Sequence, residues 1–145
     1  MLFAKQVKFL ADKTEAEATS ATIKIKLGVI WRVWVTFPPG CAGLTKLRLY
    51  IDEHPFLPVE KDAYIRGDGI TYEVPVSFEI KQKPAIVRVE GWNEDDTYDH
   101  TIDVYILVVD KEWIMPVGST EGILAGLKSL VLRPIIIKPE AEAKT

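Results

Sequence analysis

Val29-Ile30-Trp31-Arg32-Val33-Trp34-Val35-Thr36-Phe37 alternates from end to end. Val29, Trp31, Val33, Val35 and Phe37 fall on one side of an extended chain, with Ile30, Arg32, Trp34 and Thr36 on the other. That is the period of two of a β-strand and not the 3.6 of a helix. A strand apolar on both sides is expected to be central in its sheet or covered by another part of the protein. Pro38-Pro39-Gly40-Cys41-Ala42-Gly43 stops it with turn chemistry, because Pro fixes φ and Gly permits positive φ. A second strand returns through Leu47, Leu49 and Ile51, with Lys46, Arg48, Tyr50 and Asp52 opposite.

The same alternation extends in both directions. Upstream, Ala21, Ile23, Ile25 and Leu27 face one way and Thr22, Lys24 and Lys26 the other, and Gly28 offers a bend or a change of phase before Val29. Downstream, His54-Pro55-Phe56-Leu57-Pro58 reads as a loop, since two close prolines disrupt a ladder. After Gly67-Asp68-Gly69, Val74, Val76, Phe78 and Ile80 alternate with Pro75, Ser77, Glu79 and Lys81. Pro75 cannot donate to a ladder, which places that strand at an edge or a bulge. Ala85–Trp92 sets Val87 and Val89 against Arg88 and Glu90, and Thr101–Asp110 sets Ile102, Val104, Ile106 and Val108 against Asp103, Tyr105, Leu107 and Val109. No βαβ alternation appears, so the expected fold is mainly β: an antiparallel β-sandwich or jelly roll with a short C-terminal helix and extended termini.

That helix is expected over Thr120–Val131, where Ile123, Leu124, Leu127, Leu130 and Val131 form a stripe at helical spacing. Pro134-Ile135-Ile136-Ile137-Lys138-Pro139 follows as a short apolar extended segment. The reading is one domain over 1–145, with 1–16 as an N-terminal arm and 114–145 as a C-terminal extension. Both the Leu2–Leu10 segment and the isoleucine run admit two readings: a strand of the chain's own sheet, or an arm added to a neighbouring subunit.

Composition narrows the function classes. The chain has 145 residues, 48% hydrophobic and 27% charged, which suits one folded domain with a two-layer core. A net charge of −3 argues against a nucleic-acid partner, which needs cationic side chains against phosphates. No apolar run reaches the roughly 18 residues of a membrane span, and the start lacks a secretory signal's layout, so a cytoplasmic location, or synthesis in a cytoplasm before assembly, is expected. Cys41 is the single cysteine, which rules out an intramolecular disulfide. Asn93, Gln6 and Gln82 are the only side-chain amides among plentiful Lys and Glu, a thermophile pattern.

No motif carries catalysis. His54 and His100 stand alone in their segments, no Walker, GxGxxG or GxSxG sequence occurs, and Cys41 has no base or helix N-terminus beside it. No catalytic residue and no cofactor is expected. Asn93-Glu94-Asp95-Asp96-Thr97-Tyr98-Asp99-His100 could give a cation hard oxygen ligands from Asp95, Asp96 and Asp99, although the spacing is not that of an EF-hand and a solvated loop tip is the plainer reading. Trp31, Trp34, Trp92, Trp113 and the tyrosines serve equally as sugar-stacking surface or as core and interface anchors.

The stretch Val87-Arg88-Val89-Glu90-Gly91-Trp92-Asn93-Glu94-Asp95, continued through Tyr98-Asp99-His100-Thr101 and Ile102–Val109, resembles the end of small β-sandwich virion proteins of tailed viruses. There, a strand ending in Gly-aromatic-Asn leads through an acidic turn with His-Thr to the final strand. The likeness covers about half the chain, contains no diagnostic motif, and implies a decoration, minor capsid or tail-associated role, and with it a virion location. It extends to no functional residue, and the region after Trp113 departs from it. The resulting expectation is a structural protein that assembles with itself and with a major capsid or other structural protein. Interface positions are then Phe3, Phe9, Arg32, Trp34, Phe56, Ile135, Ile136 and Ile137. A carbohydrate-binding β-sandwich module is the alternative.

Overall fold

The computed structural model describes residues 1–81 and 84–114. The chain divides into two units, Met1–Asp110 and Lys111 onward. The expected helix over 120–131 and the isoleucine segment 134–139 lie outside the described residues; the described part of the second unit is the 3-10 turn Lys111–Ile114.

The first unit holds nine strands: β1 (Leu2–Phe9), β2 (Thr19–Ile25), β3 (Val29–Phe37), β4 (Thr45–Ile51), β5 (His54–Leu57), β6 (Ile65–Arg66), β7 (Ile70–Glu79), β8 (Ala85–Asn93) and β9 (His100–Val109). They form two antiparallel sheets. Sheet I has the order β1-β9-β3-β7, and sheet II the order β2-β8-β4-β5, with β6 also on β4. Inward residues of both sheets make one core, including Val33, Val35, Ile102, Val104 and Ile106 from sheet I and Leu47, Leu49, Val87 and Val89 from sheet II. Two sheets packed through alternating apolar faces constitute a β-sandwich.

The chain changes sheet at almost every connection. Pro38–Gly43 carries β3 of sheet I to β4 of sheet II, so the turn is a corner and the strand after it does not pair with the one before. Gly28 makes the opposite crossing at φ 119°, where an added Cβ would lie 2.6 Å from Val108 Cγ1 and 2.9 Å from the Val109 carbonyl oxygen. Only glycine fits a left-handed conformation pressed so closely against β9.

Two sequence readings are corrected and one left open is decided. His54–Leu57 is a strand, not a loop: it pairs with β4 through a two-residue turn in which Asp52 and Glu53 both take positive φ. Edge strands tolerate proline, and β5 is an edge. Trp31 does not share the inward face of Val33. The register shifts between Ile30 and Arg32, one extra residue in β3 relative to β9, so Ile30 enters the core and Trp31 turns out. Of the two readings left open for Leu2–Leu10, residues 2–9 take that of a strand in the chain's own sheet: they are β1, paired along their whole length with β9. Pro75 does lie on an edge strand, as its missing N–H requires.

Candidate functional site

The two outer faces of the sandwich differ in chemistry. On sheet II, outward residues of β4 and β8 oppose one another in register, Arg48 against Glu90, Tyr50 against Arg88 and Lys46 against Trp92. Glu90 accepts a hydrogen bond from Arg48 Nε at 2.6 Å and another from Arg88 Nη1 at 2.7 Å. Arg48 also donates to Glu15 at 2.9 Å, and Arg88 Nη2 to Glu53 at 3.0 Å. Burial alone would raise the Glu90 carboxyl, but the two guanidinium bonds outweigh it and hold the group below the ordinary carboxylate range. Lys46 and the Trp92 indole N–H both donate to Glu94 Oε1, at 2.8 and 3.0 Å.

Aromatic rings fill the spaces between these charges. Arg88 sits 4.2 Å from the Tyr50 ring centroid and Arg48 5.4 Å from that of Trp92, while Tyr64 covers Trp92 edge-on at 5.7 Å. Trp92 is buried as a result, although alternation places it on the outside of its strand. Across β4 and β8 the charges and the largest ring are partnered within the chain, while Lys24 and Ile86 stand exposed toward β2.

Sheet I presents a different outer surface. Cross-strand pairing sets three rows across it: Gln6, Asp103, Thr36 and Thr71; then Ala4, Tyr105, Trp34 and Glu73; then Leu2, Leu107, Arg32 and Pro75. Tyr105, Leu107, Val109 and Trp34 are half-buried and Leu2 is exposed. Leu2, Trp34, Thr36, Thr71 and Tyr105 line a shallow groove of about 320 Å³. Polar groups border it. Thr36 and Thr71 share a hydrogen bond of 2.9 Å, and Arg32 Nη1 donates to Glu73. Asp103 Oδ1 is sealed from water and has no hydrogen-bond partner among the described residues. A carboxylate oxygen cut off from solvent without a donor is costly in free energy.

The other sequence candidates go elsewhere. Phe9 is fully buried against Gly91 and is corrected from an interface position to a core position, since such a ring offers a partner no surface. Phe3 and Phe56 pack partly buried against the core, Phe56 edge-on to Phe78 at 5.7 Å. Arg32 and Trp34 lie on the outer face of sheet I, and Ile135, Ile136 and Ile137 lie outside the described residues. Sequence reasoning missed Tyr105, Leu107 and Asp103 as neighbours of Trp34, because alternation fixes faces while only strand order fixes who stands beside whom.

The acidic loop is a latch built from its own hydrogen bonds. Asp95 Oδ1 accepts the Thr97 and Tyr98 amides at 2.9 and 3.2 Å, and Oδ2 pairs with His100 Nε2 at 2.8 Å. The Thr97 amide and then His100 hold the Asp95 carboxyl below its ordinary range. Asp99 accepts the Ala11 amide at 2.8 Å, and Asp96 the Thr97 hydroxyl at 2.7 Å. The three carboxylates offered to a cation thus point to different partners. Among the described residues no group of three or more His, Cys, Asp or Glu side chains is arranged to hold a metal ion.

Asp52, His54, Ser77, Glu79 and Lys81 line a larger open cleft of about 580 Å³. The Asp52 carboxylate there accepts the Ile86 amide at 2.9 Å, and among the described residues it makes no hydrogen bond with His54 or Ser77. Cys41 is buried, and burial pushes its thiol up, away from a reactive thiolate. No helix among the described residues is long and apolar enough to cross a membrane. No protein-family model matches the sequence, and comparison with curated proteins finds no match.

Proposed function

We propose that this chain is a structural protein that acts by assembling with copies of itself through the outer face of sheet I. The observation that carries the reading is the contrast between the two faces: across β4 and β8 sheet II covers its surface with its own ion pairs and rings, whereas sheet I leaves Leu2, Trp34 and Tyr105 around an open groove, with Leu107 in the next row. Aromatic side chains in a mainly apolar patch with a polar border are the composition of an interface centre. The edges of sheet I favour face-to-face contact over strand addition. Lys5 and Lys8 stand on β1 and Pro75 on β7, the residues that guard a free edge.

The resemblance to tailed-virus sandwich proteins gives this assembly its setting: a capsid decoration or minor capsid component, with a major capsid or other structural protein as second partner. The scarcity of side-chain amides adds a thermophilic host. Size-exclusion chromatography with light scattering tests the self-association. The full chain is expected to elute above the mass of one copy, and Trp34→Ala is expected to shift it toward that mass. A monodisperse single copy at high concentration would remove the reading.

A second reading rests on the groove itself. Trp34 and Tyr105 beside the hydroxyls of Thr36 and Thr71 combine stacking surface with donors suited to a sugar ring. A tryptophan-fluorescence titration against a panel of glycans separates the two, because saturable quenching lost in Trp34→Ala would favour the carbohydrate module.

A further inference from the structure

We propose that β2 is a second assembly contact: two copies of the chain join their sheet II edges strand to strand, antiparallel, on a two-fold axis at Thr22. This adds to the assembly reading and rests on its premise that copies associate. The outermost strands of a sandwich present unpaired main-chain N–H and C=O groups, and three of the four here carry a device against strand addition. β7 holds Pro75, β5 is short and holds Pro55, and β1 turns Lys5 to the side of Phe3, Val7 and Phe9. β2 has none of these. Thr19–Ile25 contains no proline and no inward charge, and it pairs with β8 without a register shift. Ile23 and Ile25 are buried inward, while Ser20, Thr22 and Lys24 stand exposed on the outer face.

Charge selects a second copy as the occupant. Arg48, Glu90 and Ser20 form one row across sheet II, and Arg48 holds Glu15 over that row, so the Ser20 end of β2 is acidic. Lys24 and Lys26 make the other end basic, and among the described residues neither has an ion-pair partner. A two-fold at Thr22 sets Ser20 against the partner's Lys24, Ala21 against the partner's Ile23 and Thr19 against the partner's Ile25, each on a matching face. The basic end of each strand then lies beside the acidic end of the other, twice over, as an isologous contact requires. Opposite charges brought together across strands attract. Lys24 repels strands that bring a cation to that position, which makes it a selector of this partner. The product is one continuous antiparallel sheet that runs β5-β4-β8-β2 and then the same strands in reverse.

Disulfide trapping on the full chain tests the register. Directly opposite residues of an antiparallel pair have Cα atoms about 4.5–5.5 Å apart, within disulfide reach. In this pairing two copies of Ser20, or two of Lys24, lie about 14 Å apart. The native Cys41 is buried and does not compete. Under mild oxidant, Ser20→Cys mixed with Lys24→Cys is expected to link into a dimer of one copy of each, at least about ten times faster than either variant alone. Equal rates in all three samples, or no link in the mixture while light scattering shows wild type associated, would overturn the edge pairing and leave self-association standing. If wild type is a single copy, both are overturned. Should either variant melt at a different temperature from wild type, hydrogen exchange of wild type across a dilution series replaces it. The β2 amides are then expected to exchange more slowly as copies associate, and unchanged β2 exchange in an associated sample would overturn the pairing.

Discussion

Asn93 shows what a single side chain fixes in this molecule. Its Oδ1 accepts the Thr45 hydroxyl at 3.1 Å and the Asp95 amide at 3.0 Å, and its Nδ2 donates to the Tyr98 and Phe9 carbonyls. Fully buried, it ties β1, β4, β8 and the acidic loop into one knot. Asn93→Ala would leave several of these groups unpaired in the interior, each costing about 1–3 kcal/mol, so urea unfolding is expected to show a loss of about 3 kcal/mol or more. The sequence marked this residue by rarity, as its only asparagine, but not by role, because a knot among four segments requires knowing that they meet.

Titration at the same scale has a definite sign. Asp95, Asp99 and Glu90 are all held below the ordinary carboxylate range in the folded protein, by the Thr97 amide, by the Ala11 amide, and by Arg48 and Arg88 overcoming burial, respectively. A lowered folded value means that the unfolded chain binds protons first as pH falls. The stability these groups contribute is complete above the ordinary carboxylate range and drains away as pH drops through their depressed values. Melting temperature is therefore expected to fall on acidification below that range, with a shallower fall in Glu90→Gln. A melting temperature that rises with acid would contradict the assignment of these bonds.

Among the elements, β1 is where sequence and structure are most instructively compared. Leu2–Phe9 alternates weakly, with Lys5 facing the same side as Phe3, Val7 and Phe9, and so left open whether it belonged to this chain's sheet. Pairing along its whole length with β9, and the burial of Val7 and Phe9, settle it as a strand. Phe9 lies so close to Gly91 that a Cβ there would sit 2.8 Å from its ring. Phe9→Ala is expected to destabilise the fold by about 3–5 kcal/mol, measured by denaturant midpoint. A loss below 1 kcal/mol would mean that β1 is dispensable. β5 was illegible for a different reason: its turn uses Asp52-Glu53 where a glycine or asparagine would have announced positive φ, and the Asp52 carboxylate on the Ile86 amide supports that conformation from outside the turn. The Trp31 bulge was hidden too, since one added residue reverses a strand's phase without leaving a mark in composition.

For the whole molecule, the alternation of β3, β4, β8 and β9 was enough to read two antiparallel layers, and their inward residues are the core that alternation named, except ahead of the β3 bulge, where Ile30 joins the core cluster in place of Val29 and Trp31. Strand order was not readable, and with it went the identity of the open face: Trp34 and Arg32 were visible as an outward pair, whereas Tyr105, Leu107 and Asp103 join them only because β9 lies beside β3. The account therefore depends on that face becoming covered when copies meet. Hydroxyl-radical footprinting of the full chain across a dilution series measures this directly. Trp34, Tyr105 and Leu107 are predicted to lose reactivity together as concentration rises, while Tyr98 and Val59, exposed away from the face, stay unchanged. Equal reactivity of Trp34 and Tyr105 at every concentration, or protection confined to another surface, would contradict it.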